Sequence, residues 1–224
     1  MENLTLVIPA KNEKECLPLV LDELKEFNVN IIVVLEKTDL ETINSIKNYN
    51  IKILYQMNRG YGDAIIEGIN SVETKFFCIF NADGSFNPLE LKSMLQQINS
   101  DNCDFVFGTR YEKGCSSEDD TWVTYVGNFM FTLLGRIFFK LKVSDILYTF
   151  VLGKTSSAKN LNLQSKNFVF CVELPIKASK KKFKITNSKS QERARIAGEK
   201  KVNAIIDGSS ILLGMIKLFF NKKL

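Results

Sequence analysis

Hydrophobic positions fall into two patterns along this chain. Short apolar runs occur at Leu4–Ile8, Ile31–Leu35, Ile51–Tyr55, Phe76–Phe80 and Phe105–Phe107. They are rich in β-branched or aromatic residues and do not alternate with polar ones, as in strands buried on both faces. Between the runs the spacing becomes helical. Leu17, Val20, Leu21 and Leu24 recur at i, i+3, i+4, i+7, and so do Leu91, Met94, Leu95 and Ile98. The second of these helices carries start signals: Asn87 as N-cap, Pro88 at the first helical position and Glu90 at the third. Asp39–Lys47 and Gly62–Asn70 read as two more helices. Strand–helix alternation over residues 1–110 predicts an α/β fold, with a mostly parallel central sheet flanked by helices. Ligands of such sheets sit beyond the carboxyl ends of the strands.

After Arg110 the pattern changes. Residues 112–121 are polar and read as a mobile loop. Val123–Leu141 is apolar on most sides, interrupted by Arg136 and Lys140. Ile211–Phe220 is a second apolar run, broken by Lys217 and followed by Lys222 and Lys223. Neither reaches the ~18–20 uninterrupted apolar residues of a spanning helix. They predict C-terminal amphipathic helices, suited to a membrane interface, to an ordinary core or to an oligomer contact.

Composition narrows the chemistry. The 224 residues are 45% hydrophobic and 25% charged, which is ordinary for a globular protein. There is no histidine. Ser-His triads, His general bases and His metal ligands are therefore excluded, and a metal would need oxygen ligands or cysteine. The five cysteines are widely spaced with no C-x-x-C, which fits a reducing, cytoplasmic setting. The apolar stretch at the N-terminus is only five residues long and reads as a strand rather than a signal peptide. The net charge is +5, and ten Lys and Arg lie between Lys177 and Lys201 against Glu192 and Glu199. That concentration suggests a phosphate-bearing partner. No aromatic platform or nucleic-acid motif accompanies it, so nucleic acid is not expected.

Four segments carry candidate chemistry. Phe76–Pro88 is a buried strand ending in Asn81-Ala82-Asp83-Gly84-Ser85 and passing into a capped helix. Asp83 at the sheet edge suits Mg²⁺ or Mn²⁺ held against a diphosphate, or simply an Asx turn. Asn58–Gly68 places Gly60 and Gly62 at a strand-to-helix junction, where backbone can approach an anion or pack tightly. Gly108-Thr109-Arg110 follows a strand, and its Arg suits phosphate, carboxylate or a surface ion pair. Arg193–Lys201 is a basic segment with two glutamates near it.

In this order the segments resemble glycosyltransferase family 2 enzymes with the GT-A fold, in particular the dolichyl-phosphate mannose synthase-like branch. That branch opens with Pro-x-x-Asn-Glu, met by Pro9-Ala10-Lys11-Asn12-Glu13. Its glycine-rich helix start is met by Gly60 to Gly68 with slightly different spacing. Its metal motif Asp-Ala-Asp-x-Ser/Gln-x-x-Pro is met by Asn81 to Pro88, and Gly-Ser-Arg by Gly108-Thr109-Arg110. A later Asn and Asp are met by Asn128 and Asp145, and Arg-x-x-Gly-Glu-Ser-Lys by Arg195, Gly198, Glu199 and Lys201. The similarity runs collinearly over residues 3–205.

The resemblance implies a GT-A domain over 1–204, with a nucleotide-sugar half (1–111), an acceptor half (112–204) and a C-terminal apolar and basic helix (205–224). It implies inverting sugar transfer from a nucleotide-diphosphate sugar to an acceptor, a polyprenyl phosphate, on the inner face of a membrane. Asp83, Arg110 and Asp145 are then the catalytic set. Pro9, Asn12, Glu13, Glu36, Gly60, Gly62, Asn81, Ala82, Arg195 and Lys201 bind the donor. Asp83, Asn81 and Ser85 hold Mg²⁺ or Mn²⁺. Three departures stand out. Asn81 replaces an Asp, Leu35-Glu36-Lys37-Thr38-Asp39 replaces Asp-Asp-x-Ser-x-Asp, and Thr149-Phe150-Val151 replaces Gly-Phe-Arg. They leave open a degenerate member that binds nucleotide or a protein partner without turnover. Pyrophosphorylases and nicotinamide dehydrogenases would need glycines after the first strand, where Pro9-Ala10-Lys11-Asn12-Glu13 stands.

Overall fold

The computed structural model describes residues 1–198 and 201–221. Nine strands and eight α-helices follow in the order β1 (Leu4–Pro9), α1 (Leu17–Leu24), β2 (Asn30–Leu35), α2 (Leu40–Ile46), β3 (Lys52–Tyr55), α3 (Tyr61–Asn70), β4 (Phe76–Ile79), α4 (Glu90–Ser100), β5 (Phe105–Thr109), β6 (Ser116–Ser117), α5 (Trp122–Phe139), β7 (Val151–Lys154), α6 (Thr155–Asn160), α7 (Phe170–Lys180), β8 (Ile185–Lys189), β9 (Gln191–Glu192) and α8 (Ala204–Phe220). Seven strands form one sheet in the order β3-β2-β1-β4-β7-β5-β8. Every pairing in it is parallel except those of β7, which runs antiparallel to both β4 and β5.

The five strands read from the apolar runs are all present; β1 to β4 are neighbours, β7 separates β4 from β5, and all but the half-exposed edge strand β3 have core on both faces. Leu4, Leu6 and Ile8 face one apolar cluster with α1 and α4, while Val7 faces another with α3 and α7. A third cluster joins α5, α7 and α8 through Phe131, Val172, Ile176, Ile211 and Met215. The C-terminal apolar helix therefore packs onto the body of the protein, and β7 and β8 from the second half complete the sheet begun by the first.

Four details differ from the sequence reading. Helix α4 begins at Glu90, not at Pro88, because Asn87 Oδ1 accepts the Leu89 N–H (3.1 Å) and closes an Asx turn ahead of the helix. Residues 112–121 are not a free loop: β6 pairs in parallel with β9, and the Glu118 N–H donates to the Glu192 carbonyl (3.0 Å). The apolar run from Val123 is capped at Thr121, whose hydroxyl accepts the Thr124 N–H (3.3 Å). Strand β7 itself has no counterpart in the hydrophobic pattern, since Val151-Leu152-Gly153-Lys154 is short and contains a glycine. Its place between two Phe-rich strands explains the glycine. A Cβ on Gly153 would sit 2.6 Å from the Phe105 ring and 2.7 Å from the Phe77 ring.

Gly153→Ala is therefore expected to destabilise the fold by about 1–3 kcal/mol, the usual cost of overpacking a filled core. Urea denaturation, with the slope unchanged and the midpoint lowered, checks this.

Candidate active site

A cleft of about 420 Å³ opens at the carboxyl edge of the sheet. Its polar end is assembled from loops that follow β1, β2, β3 and β4, as parallel strands require. Pro9, Glu13, Glu36, Gly60, Asn81, Ala82 and Asp83 all line it, joined by Arg195 and Lys201 from the segment after β9.

Asp83 is the centre of this end. Its Oδ1 accepts the Ser85 N–H (3.0 Å), and its Oδ2 accepts from Arg195 Nη2 (3.1 Å). Asn81 Nδ2 donates to Ser85 Oγ (3.2 Å), so the three oxygen-bearing side chains of the motif lie together. Gly84 turns the chain at φ 82°, and a Cβ there would meet Ile196 Cδ1 at 2.5 Å. The strap of residues 191–198 runs across this turn. Its Arg193 N–H donates to the Ser85 carbonyl (2.8 Å) and its Ile196 N–H to the Asp83 carbonyl (2.9 Å). The Arg193 guanidinium donates to the carbonyls of Gly84 (3.1 Å) and Phe86 (2.7 Å) and pairs with Glu23 on α1 (2.7 Å).

The other cations of the polar end are paired too. Lys201 contacts Glu13, whose N–H donates to Thr42 Oγ1 (2.9 Å). Lys11 (3.4 Å) and Arg59 (3.5 Å) flank Glu36. Asn12 does not line the cleft. It turns the chain at φ 52°, and its N–H donates to Asp39 Oδ2 (2.7 Å), while Asp39 also caps α2. Both glycines pack against the 165–167 backbone, and a Cβ on Gly60 would stand 2.2 Å from the Lys166 carbonyl oxygen. Gly60 lines the cleft with φ 126°, and its carbonyl accepts from Gln56 Nε2 (3.0 Å). Gly62 lies against the 165–167 backbone, where a Cβ would stand 2.1 Å from the Ser165 carbonyl oxygen. Glu199 lies outside the described residues.

Arg110 and Asp145 come together, but away from the cleft wall. Asp145 is fully buried. It accepts from Arg110 Nε (2.7 Å), Arg110 Nη2 (3.0 Å), the Arg110 N–H (3.1 Å) and Asn128 Nδ2 (2.6 Å). The remaining Arg110 nitrogen pairs with Glu192 (3.0 Å). Burial pushes the Glu192 carboxyl above its ordinary range, against the pull of Arg110 and the Ser117 hydroxyl. Arg110 thus ties β5, the segment before β7 and the base of the strap. Ser85 holds the Asp83 turn rather than facing the cleft.

The opposite end of the cleft is apolar, and sequence patterns did not reveal it. Tyr61, Leu147, Thr149, Phe168, Cys171 and Ile211 line it. The Tyr61 ring stacks on Phe168 at 5.0 Å, and its hydroxyl bonds Thr149 (2.6 Å). Burial pushes the Cys171 thiol up to about 12, so it is a neutral apolar wall. The segment bearing Phe168 is fixed by a buried pair, Glu173 with Lys177 (2.7 Å). Glu173 accepts the Ser165 N–H (2.7 Å), and Lys177 donates to the Asn162 carbonyl (2.6 Å). Phe168, Cys171 and Ile211 look like any core residue in sequence; only Tyr61, inside the glycine-rich segment, and Thr149, where Gly-Phe-Arg is replaced, lay in a motif.

The oxygen donors of Asn81 and Asp83 suit a hard cation that draws further ligands from phosphate and water, while Ser85, named with them from the sequence, is buried behind the turn and does not line the cleft. No group of three His, Cys, Asp or Glu among the described residues forms a cage of its own.

Comparison with known proteins places this arrangement. The sequence pattern of glycosyl transferase family 2 matches residues 5–161, more than two thirds of the chain. The chain belongs to glycosyl transferase family 2. An uncharacterised glycosyltransferase of Mycobacterium tuberculosis is 24% identical over 209 residues, covering 93% of this chain and 94% of that one. A UDP-N-acetylglucosamine–dolichyl-phosphate N-acetylglucosaminyltransferase of Methanococcus voltae is 26% identical over 208 residues, covering 80% and 81%. Glucosyl-3-phosphoglycerate synthase of M. tuberculosis, crystallised with Mn²⁺, UDP and glucosyl-3-phosphoglycerate, superposes with a TM-score of 0.78. At 13% identity it covers 96% of this chain and 79% of its own, which shows the shared GT-A fold.

Asp145→Ala is expected to cost about 3–5 kcal/mol of stability, because it leaves the Arg110 charge buried without its main partner. A denaturant titration of the variant against the parent measures it.

Proposed function

We propose that this family 2 glycosyltransferase moves a sugar from a nucleoside-diphosphate sugar to a polyprenyl phosphate, with inversion, at the surface of a membrane. The observation that carries the reading is the continuity of the cleft. One end holds Glu13, Asp83, Arg195 and Lys201; the other is walled by Tyr61, Leu147, Phe168, Cys171 and Ile211. A diphosphate suits the first end and an isoprenoid chain the second. The relative from Methanococcus voltae, named for a dolichyl-phosphate acceptor, supports the same class.

The chemistry asks little of a base. An acceptor phosphate oxygen is already anionic, so it bonds to the anomeric carbon as the bond to the diphosphate breaks, without a proton to remove. The absence of histidine is compatible with this. Arg195 and Lys201 face the leaving diphosphate and take up its charge. Mg²⁺ or Mn²⁺ at Asp83, with Asn81, supplies further positive charge to that leaving group when bound. Glu36 and Gln56 lie where the nucleoside enters. The apolar end keeps water from the donor and limits hydrolysis.

Helices α5 and α8 carry the acceptor side outward. They pack together through Phe138, Phe139 and Phe219, with ring centroids 5.7–6.0 Å apart. Their outer faces expose Trp122 (78%), Phe129 (63%), Ile205 (81%) and Phe220 (74%). Arg136, Lys140 and Lys217 lie among or beside these residues. No helix among the described residues is long and apolar enough to cross a membrane. Such a pair of helices suits the plane of an anionic leaflet.

A thermal-shift series with UDP, GDP, CMP and TDP, with and without Mn²⁺, tests the donor assignment. One nucleotide is expected to raise the melting temperature in a metal-dependent way, and Asp83→Ala to abolish the metal dependence. In a transfer assay the same variant is expected to lose about 10²-fold or more in kcat/KM. No shift with any nucleotide would favour the partner-binding, non-catalytic reading instead. Flotation with vesicles containing anionic lipid is expected to carry the protein upward. Phe129→Glu combined with Ile137→Glu is expected to leave it at the bottom of the gradient.

A further inference from the structure

Asp83 is the only carboxylate of the Asn81–Ser85 motif, and both of its oxygens are in use. Oδ1 takes the Ser85 N–H, and Oδ2 takes Arg195 Nη2 at 3.1 Å. Arg195 does not reach Asp83 by chance of a loose side chain. The strap is fastened on both sides of it, by Arg193 N–H to Ser85 and Ile196 N–H to Asp83. The Arg193 guanidinium adds two carbonyls and Glu23. Arg195 Nε also lies 3.6 Å from Asp119, on the segment paired with the base of the strap.

A guanidinium 3.1 Å from the oxygen that a dication needs repels that dication. Two like charges a few ångströms apart in a half-buried site strongly disfavour joint occupancy. A diphosphate changes the balance. It offers Arg195 paired acceptor oxygens of better shape than a single carboxylate oxygen. We propose that Arg195 is the place-holder for the divalent cation on Asp83, and that it passes to the donor diphosphate when cation and nucleotide enter together. The proposal rests on the transferase reading and adds a binding rule to it. Cation and nucleotide each bind weakly alone and strengthen each other, and by linkage the strengthening is reciprocal.

The test is Mn²⁺ binding, read by the loss of the free-ion paramagnetic resonance signal, with Mn²⁺ alone and with Mn²⁺ plus UDP or GDP. Arg195→Gln is expected to bind Mn²⁺ alone about 1.5- to fivefold more tightly than the parent, the range set by removing one partly exposed ion pair. Arg195→Lys, which keeps the charge, is expected to stay near the parent. Nucleotide is expected to tighten Mn²⁺ binding more in the parent than in Arg195→Gln. Equal or weaker Mn²⁺ binding by a folded Arg195→Gln overturns the proposal while leaving the transferase reading intact. Should that variant not fold, Glu23→Gln decides. It loosens the strap and keeps Arg195, so tighter Mn²⁺ binding supports the exchange and unchanged binding overturns it. If nucleotide binds equally tightly with and without Mn²⁺ in all proteins, the cation and its place-holder both fall and sugar transfer stands. If neither nucleotide nor Mn²⁺ binds, the transferase reading falls as well.

Discussion

The insertion of β7 between β4 and β5 is the constraint on which the site depends. Adjacent strands stand about 4.8 Å apart, so the ends of β4 and β5 are held about 10 Å apart by the strand between them. The end of β4 carries Asp83, and the end of β5 runs into Arg110. The segment entering β7 fills the interval in alternating fashion. Asp145 turns inward to Arg110, Leu147 and Thr149 face the cleft, and Phe150 enters the core beside Phe80 and Phe86. Gly153 then lets the strand pass between two phenylalanines. One antiparallel strand thereby separates the cleft-lining carboxylate of Asp83 from the buried ion network of Arg110.

That separation explains which parts of the molecule were legible in the sequence. Compact apolar runs made β1 to β5 visible from the hydrophobic pattern, including β3, which is only half-buried at the sheet edge. Strand β7 was not, because its residues are selected by its neighbours and not by its own pattern. The polar end of the cleft was legible because Pro9, Glu13, Gly60 and Asp83 fall at strand ends in a recognisable order. Arg110 and Asp145 obey the same rule, yet they pair with each other away from the cleft wall. A strand-end arginine is decided by how many carboxylates surround it, here Asp145, Glu192 and Asp120. The apolar end was hidden for another reason. Phe168, Cys171 and Ile211 reach the cleft only after α7 and α8 dock, and nothing in their local sequence separates a cleft wall from a core.

The cleft is also balanced in charge. Lys201 meets Glu13, Lys11 and Arg59 meet Glu36, and Arg195 meets Asp83. A concentration of lysine and arginine in one segment would repel itself and loosen the strap. Carboxylates from the sheet edge absorb that repulsion, so the same acidic residues that resemble donor ligands also keep the basic segment folded. The small β6–β9 sheet adds a backbone tie at the base of the strap.

The pairs that close the cleft join distant parts of the chain. Arg195 and Asp83 are 112 residues apart, and Lys201 and Glu13 are 188 apart. Contacts of such separation form late, after the loops between them have been closed at entropic cost. A ribosome-bound chain that has not yet emerged as far as Lys201 lacks the partner of Glu13, however complete its first five strands. The finished charge pattern of the cleft is therefore withheld from truncated or half-folded chains, which hold Glu13 and Asp83 without their long-range partners.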